Sequence, residues 1–534
     1  SFNLDNTIGA TNKVGTVELT GGATVLTAGS TIDADTINFA GDSGLVITNN
    51  NVAGNLTTNV DGEGNLTFNG TGTLTGTIGA TTKALNTVTY TGANTYNMAT
   101  SMYSKNVALS SGATVNLTAD TSLLENTALT SVGASTLNLA SHDLTTPGTA
   151  NISGASILKA DITSAADYGK LVSTGTATVA ADTVVDINVV DKTALKDGDT
   201  YTIVDGTGGA GVATLAADAT DNTNLFKFVQ GASTEDLVYT STVDVAFDTD
   251  TAGTAFAGLG AELQAGIEGG NLSSGLFNAM DTLAGLNSAQ QAAALQTMVP
   301  ELNGAQVETT FDNQNRIFNT ISSRANATEE GMWIDTSYST KDKDTVDSID
   351  GYDADTTSIT VGADMRTTAT SNLGLAFTYA QTDIDGKDTF KGNKNDVDSY
   401  NVTVYGAKEF ANGAKVDAQA TAGISQFDSS RDLSAIGAGT AKGDYDATTY
   451  GVNANLSKDY HFNGVSVTPV AGLAYNNASF EEYTETGSAA ALNVEKETFE
   501  SLKTKVGVEV ELAKLSVNQA WTVKPEVRGY WNHE

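Results

Sequence analysis

The chain is expected to be all-β with a helical linker: a parallel β-helix first, then an antiparallel transmembrane β-barrel. Three observations carry this. From about Gly331 to Glu534, about nine segments place apolar or aromatic residues at every second position, the period of a strand. The gaps between them alternate long and short, as where one barrel rim carries loops and the other tight turns. The first 250 residues instead carry short apolar alternations separated by Gly, Asn or Asp at roughly 8–12 residue spacing.

The N-terminal pairs are Val17/Leu19, Ile37/Phe39, Leu45/Ile47, Leu66/Phe68, Val88/Tyr90, Val115/Leu117 and Leu137/Leu139. Large aromatics are too few here for a globular core. A stack of coils needs few, because each coil buries its inner face on its neighbours. A β-sandwich is the alternative. A denser, more apolar run from Tyr168 to Phe247 is suited to capping the open end of such a stack.

A linker follows. Ser288 and Gln291 have capping-box spacing at the start of a helix that Pro300 stops. A second helix pattern runs from about Gly304 to Asn326, with a narrow apolar stripe of Val307, Phe311, Phe318 and Ile321. Its other faces carry Glu308, Asp312, Asn313, Asn315, Arg316 and Asn319. At about 1.5 Å per residue it is roughly 34 Å long, near a membrane's thickness. A mostly polar helix of that length directly before a barrel suits a water-lined lumen; an ordinary amphipathic linker is the alternative. Proposed lumen residues are Val307, Phe311, Asn313, Asn315, Arg316 and Phe318.

In the barrel region, Leu373, Leu375, Phe377 and Tyr379 share one face, with Gly374, Ala376 and Thr378 on the other. Tyr400, Val402 and Val404 alternate with Asn401, Thr403 and Tyr405. The apolar set faces lipid and the small or polar set lines the lumen. Long gaps are expected at 340–355, 383–398, 428–445 and 476–497, and short ones at 368–372, 408–413, 461–464 and 513–519. Trp333, Trp521 and Trp531, the three tryptophans, suit an interfacial girdle.

Net charge is −36 and pI about 4.2, a surface that repels phosphate backbones and argues against nucleic-acid binding. The chain has no cysteine, which excludes disulfides and thiolate metal sites. All five arginines lie from Arg316 onward, while the first 250 residues hold eight lysines. Two regions of different character therefore meet near residues 250–330. Ser1-Phe2-Asn3-Leu4-Asp5 is no signal peptide, so a processed chain or a fragment is expected.

Specific residues carry a family resemblance. Leu286-Asn-Ser-Ala-Gln-Gln-Ala-Ala-Ala-Leu, Gly331-Met-Trp-Ile, Ser358-Ile-Thr-Val-Gly-Ala-Asp-Met and Asn372-Leu-Gly-Leu-Ala-Phe-Thr-Tyr379 resemble the pre-barrel helix and first strands of monomeric autotransporters (type V secretion) of Gram-negative bacteria. Val467-Thr-Pro-Val-Ala-Gly-Leu-Ala-Tyr475 resembles a later signature, and Tyr168–Asp205 the passenger junction. Gly351-Tyr-Asp-Ala-Asp-Thr-Thr357 and Glu497–Val510 are similar to the rickettsial outer membrane protein B and surface cell antigen group.

The resemblance implies a passenger over 1–165, a junction over 166–248, a linker with a lumen-spanning helix over 249–330, and a barrel over 331–534. It implies twelve barrel strands ending on an aromatic residue; about nine are legible, so truncation at the C-terminus is expected too. It places the barrel in the outer membrane, translocating and displaying its own passenger on the cell surface, where the passenger acts in adhesion or as a coat and not as an enzyme. Implied partners are the outer-membrane bilayer, the barrel-assembly machinery, periplasmic chaperones, and host-cell or other surface receptors. An enzymatic domain further N-terminal and a porin-like pore are the alternatives.

Catalytic motifs are weak. Gly206-Thr-Gly-Gly-Ala-Gly211 fits a dinucleotide fingerprint, but short strand-like sequence follows where a helix is needed, so a glycine-rich turn is expected. His142, His461 and His533 are far apart. Asp342, Asp344, Asp347, Asp350, Asp353 and Asp355 lack EF-hand spacing and read as a solvated loop rather than a calcium site. No catalytic residue, cofactor or metal is expected. Some autotransporters release the passenger when a lumen asparagine attacks its own carbonyl. Asp312-Asn313 lies at the comparable place, with Asp312 where the nucleophile would stand, which disfavours that route.

Overall fold

The computed structural model describes residues 1–207, 209, 211–254, 256–299, 304–325, 330–346, 349–462, 465–512, 515–516, 522–523 and 525–534, the side chains of 515, 516, 522 and 523 excepted. Pro300, Asn326, Asp347, Gly464 and Trp521 lie outside the described residues, as does most of the expected short connection 513–519. Contacts divide the chain into two compact units, 1–253 with 260–285, and 254–259 with 286–534.

The first unit is a parallel β-helix. Leu45, Leu66 and Val88 stand in register on successive strands, as do Val115, Leu137 and Leu158. Six of the seven expected apolar pairs, from Ile37/Phe39 onward, are buried; Val17 and Leu19, in the first coil, are half-buried. The abundance of Thr, Gly and Asn has a physical use. Asn49, Asn51 and Asn55 each accept the backbone N–H of a threonine one coil on, Thr71, Thr73 and Thr77, at 3.1–3.3 Å. At one corner Gly54 and Gly76 stack with φ of +149° and +144°. A Cβ on Gly76 would lie 2.2 Å from the Gly54 carbonyl oxygen, so no larger residue fits.

The stack ends in an antiparallel cap. Strand Leu237–Val243 pairs with Thr200–Gly206 on one side and Phe226–Gln230 on the other. Gly206 ends one of these strands and no helix follows among the described residues of 206–211, so the dinucleotide reading lacks its βα turn. Helix α1 (Ala257–Glu268) from Gly260 on, and helix α2 (Ser274–Ala284), belong with this unit. Asp281 of α2 binds Lys192 Nζ at 2.6 Å and accepts the Asn224 N–H at 2.7 Å, and Phe277 stacks on Phe226. The segment expected as one linker therefore divides: residues 260–285 go with the cap, and the chain from Leu286 on with the barrel.

Burial pushes the Tyr201 phenol up to about 12, and also raises Tyr90 and Tyr239. The unfolded chain loses these protons near pH 10, whereas the folded unit holds them. The stability they contribute is intact below pH 10 and falls away as pH rises toward 12 and beyond. In parallel absorbance and circular-dichroism titrations, part of the phenolate signal should appear only as β structure is lost. Phenolate appearing fully at pH 10 with the fold intact would contradict this.

Among the described residues, the sheet of the second unit has nine antiparallel strands in strict sequence order along its main path, with two short strands, Tyr460–Phe462 and Thr486–Ser488, paired off it. Its strands are β1 (Gly331–Lys343), β2 (Tyr352–Thr368), β3 (Ser371–Gly386), β4 (Lys394–Glu409), β5 (Ala414–Asp432), β6 (Gly439–Lys458), β7 (Val465–Phe480), β8 (Glu497–Glu511) and β9 (Glu526–His533). β1 and β9 are its two edges. Leu373, Leu375, Phe377, Tyr400, Val402 and Val404 are exposed on the convex face, while Thr378, Asn401 and Thr403 are buried on the concave one.

The long gaps are shorter than expected. Strands run on through much of 340–355, 383–398 and 428–445, because the inward positions there stay buried: Tyr352, Ile384, Val397, Phe427 and Ala447 form a core above the apolar band. On the convex face of this extension, Asp355, Asp383, Asp396, Asp428 and Asp444 stand directly opposite one another on five consecutive strands. Like charges so placed repel and cannot sit in hydrocarbon, so this row marks where the wall leaves the bilayer. Just below it, Tyr379 and Tyr400 pair with ring centroids 5.3 Å apart. Tyrosines, not tryptophans, thus form the interface on this side. Trp333 corrects the girdle expectation: it turns inward and donates to Tyr405 Oη at 2.7 Å.

Candidate functional site in the barrel lumen

Two helices precede β1 in this unit. α3 (Ser288–Thr297) starts one residue earlier than its sequence suggests: Asn287 is the N-cap, accepting the Gln290 N–H at 3.0 Å, while Gln290 accepts the Asn287 N–H at 3.2 Å. Asparagine competes with serine for this role on equal terms. α4 (Ala305–Ala325) lies along the concave face, its N-terminal end at the loop rim and its C-terminal end at the turn rim.

Each end is fastened. At the loop rim, Val307 and Phe311 enter the core around Tyr352, Phe427 and Phe480. Glu308 accepts from Lys341 and Lys343, each at 2.6 Å, and Asp312 from Lys341 at 2.7 Å. Midway, Phe318 is buried against Gly451, where a Cβ would lie 2.9 Å from its ring, and Gln419 Nε2 donates to the Phe318 carbonyl at 2.8 Å. Asn476 Nδ2 donates to Asn315 Oδ1 at 3.2 Å. At the turn rim, Ser322 binds Asp417 at 2.7 Å, and Arg324 grips Asp364 through two hydrogen bonds of 2.7 and 3.0 Å. Asp364 also accepts from Tyr405 Oη at 2.9 Å and the Gly331 N–H at 3.1 Å.

All six proposed lumen residues thus lie on the helix that fills the concave face. Asn313 Oδ1, Asn315 Nδ2 and Arg316 Nε are buried without a protein partner, as are both amide atoms of Gln314. Such orphans need water, so the space beside α4 is wet. A cavity of about 920 Å³ continues it toward the turn rim between α4 and β5–β9, lined by Ser322, Asp417, Asn455 and Lys505 among others. Asp312 and Asn313 do not converge on shared chemistry: the carboxylate is engaged by Lys341, and the Asn313 amide oxygen is buried without a partner among the described residues.

Of the turn-rim anchors, Arg324 and Asp364 were not singled out from sequence, Trp333 was assigned to an interfacial girdle, and Tyr405 was placed only in the lumen-facing set. The signal was parity: Asp364 shares the lumen-facing set of β2, whose lipid-facing set is Ile359, Val361 and Met365. Among the described residues, no group of three His, Asp or Glu side chains stands where it could hold a metal ion. In the acidic segment, Asp342 and Asp353 instead share Lys387. No described helix is long and apolar enough to cross a membrane, which says nothing of crossing by strands.

Residues 332–534 match the family model of the autotransporter beta-domain. Outer membrane protein B of Rickettsia japonica is 30% identical over 215 residues, 38% of this chain and 13% of that protein. An extracellular serine protease of Serratia marcescens is 27% identical over 192 residues, 35% of this chain and 18% of that protein. The chain thus spans a small part of these relatives. Among solved structures, the translocator domain of the autotransporter NalP from Neisseria meningitidis covers 42% of this chain at 14% identity, with 76% of its own length matched and a TM-score of 0.37. With strands that present an apolar face outward and curve around a lumen helix, residues 332–534 are an autotransporter beta-domain similar to that of rickettsial outer membrane protein B, which places the chain in the outer membrane with its β-helical passenger at the cell surface.

Proposed function

We propose that the barrel carries its own passenger across the outer membrane and displays it, and that the passenger works without catalysis, as an adhesive or coating surface. The observation that supports this most is α4: it fills the lumen with its N-terminal end at the loop rim, the direction a segment serving outward display would take. The barrel-assembly machinery and periplasmic chaperones deliver the barrel to the membrane, and host-cell or other surface receptors meet the passenger. The chain stays uncut at Asp312–Asn313 in this reading, because the residue in the nucleophile's place is an aspartate, and Lys341 engages its side chain.

Passenger folding outside the cell draws the remaining chain outward, and the cap nucleates that folding. Deleting residues 168–247 is therefore expected to abolish surface display while the barrel still inserts, as read by protease accessibility on intact cells beside barrel heat-modifiability. Intact display after the deletion would end this idea. A passenger bearing an enzyme further toward its N-terminus is the second reading, favoured by the likeness to the Serratia protein. A serine-hydrolase motif in sequence upstream of Ser1 would support it over adhesion.

A further inference from the structure

A second cavity, of about 650 Å³, opens beside the first turn of α4 at the loop rim of the barrel. Its walls are aromatic. Tyr445 stacks between Phe427 and Tyr483, with centroid separations of 4.9 and 4.3 Å, and Phe480 packs edge-on to Phe499 at 5.8 Å. Tyr483 reaches this position because Gly443 beneath it has no side chain: a Cβ there would lie 2.6 Å from the ring.

The cavity is acidic beyond its internal needs. Its one arginine, Arg431, is neutralised by Glu485, and Glu308 by Lys341 and Lys343. Glu481, Glu495 and Glu497 also line it, and none makes an ion pair among the described residues. Two buried amide atoms on the wall lack partners as well: Asn395 Oδ1, on a residue 4% exposed, and Asn393 Nδ2, on one 3% exposed.

Aromatic faces and spare carboxylates both attract a cation carrying an apolar body. The unpartnered Asn395 oxygen asks for an N–H donor, which a quaternary ammonium cannot supply. Asn393 Nδ2 can donate to a water carried in with the ligand. We propose that this cavity binds a protonated aliphatic amine, either a free polyamine or a lysine side chain. The alkyl chain lies against Tyr445, Tyr483 and Phe499, and the ammonium sits between Asn395 Oδ1 and the free glutamates. This goes beyond translocation and display, and its failure would leave that reading untouched.

Calorimetric titration of the full chain in detergent micelles tests it. Pentylamine is expected to bind and its neutral isostere n-pentanol to bind at least about tenfold more weakly, since the attraction is to charge. The isosteric pair Glu481→Gln/Glu497→Gln is expected to weaken amine binding about tenfold at low salt without shifting the unfolding temperature. Asn395→Leu should weaken the amine and not the alcohol. Spermidine and N-acetyl-lysine amide distinguish the two sources: the tighter binder identifies which is held. Equal affinity for pentylamine and n-pentanol would overturn the proposal, as would amine binding unchanged by the double glutamine variant.

Discussion

Replacing Asp364 with alanine is expected to release the lumen helix from the turn rim and to cost the barrel about 3–5 kcal/mol, the usual loss when one partner of a buried ion pair is stranded. Asp364 accepts from Arg324, the Tyr405 hydroxyl and the Gly331 N–H together. Its side chain is 2% exposed and that of Arg324 15%, so water cannot take over the charge. The folded band should convert to the unfolded one at clearly lower temperature on gels loaded without boiling. In planar bilayers the pore should conduct more as α4 loosens. Asp364→Asn keeps an acceptor for the Tyr405 and Gly331 donors and should cost less. If the alanine variant melts with the wild type, α4 is held by its apolar contacts and the ion pair is incidental.

Replacing Arg431 with alanine should open the loop rim, at a similar cost of about 3–5 kcal/mol. Arg431 and Glu485 form a bidentate pair at 2.7 and 2.6 Å, with side chains 8% and 2% exposed. The same guanidinium donates to the Thr297 carbonyl at the end of α3 and to the Ala490 carbonyl in the β7–β8 connection. One side chain thus joins the pre-barrel helix, the wall and an outer loop. Loss of the arginine leaves Glu485 charged and buried, and limited proteolysis should then cut within residues 481–496 before the rest of the barrel. Arg431→Met with Glu485→Leu removes both charges and should restore much of the protection. Equal cleavage of the single and double variants would show that the loop is held by something else.

Much of the barrel was legible because its two faces meet different solvents. Lipid on one side and a wet lumen on the other force alternation at every second residue, so Leu373–Tyr379 and Tyr400–Tyr405 could be assigned to faces from order alone. The β-helix was legible for a related reason: each coil repeats the same inward pair. The cap's boundary was less so. α1 and α2 carry no signal saying which unit they join; α2 goes to the cap because Asp281 there finds Lys192 and Asn224, residues far from it along the chain. Loop lengths were misjudged because strands that leave the bilayer lose their apolar outer face while keeping a buried inner one, so β3–β6 run on through sequence that looks like polar loop.

The order of apolar and polar residues was enough to establish the strands, their facing, the long polar helix and the compartment, since each is a local response to the surrounding solvent. The inward turn of Trp333, the grip of Asp364 on Arg324, the bridging by Arg431 and the aromatic cavity at the rim arise only on folding. Each depends on register between strands tens of residues apart, and register is settled by the whole sheet pairing at once.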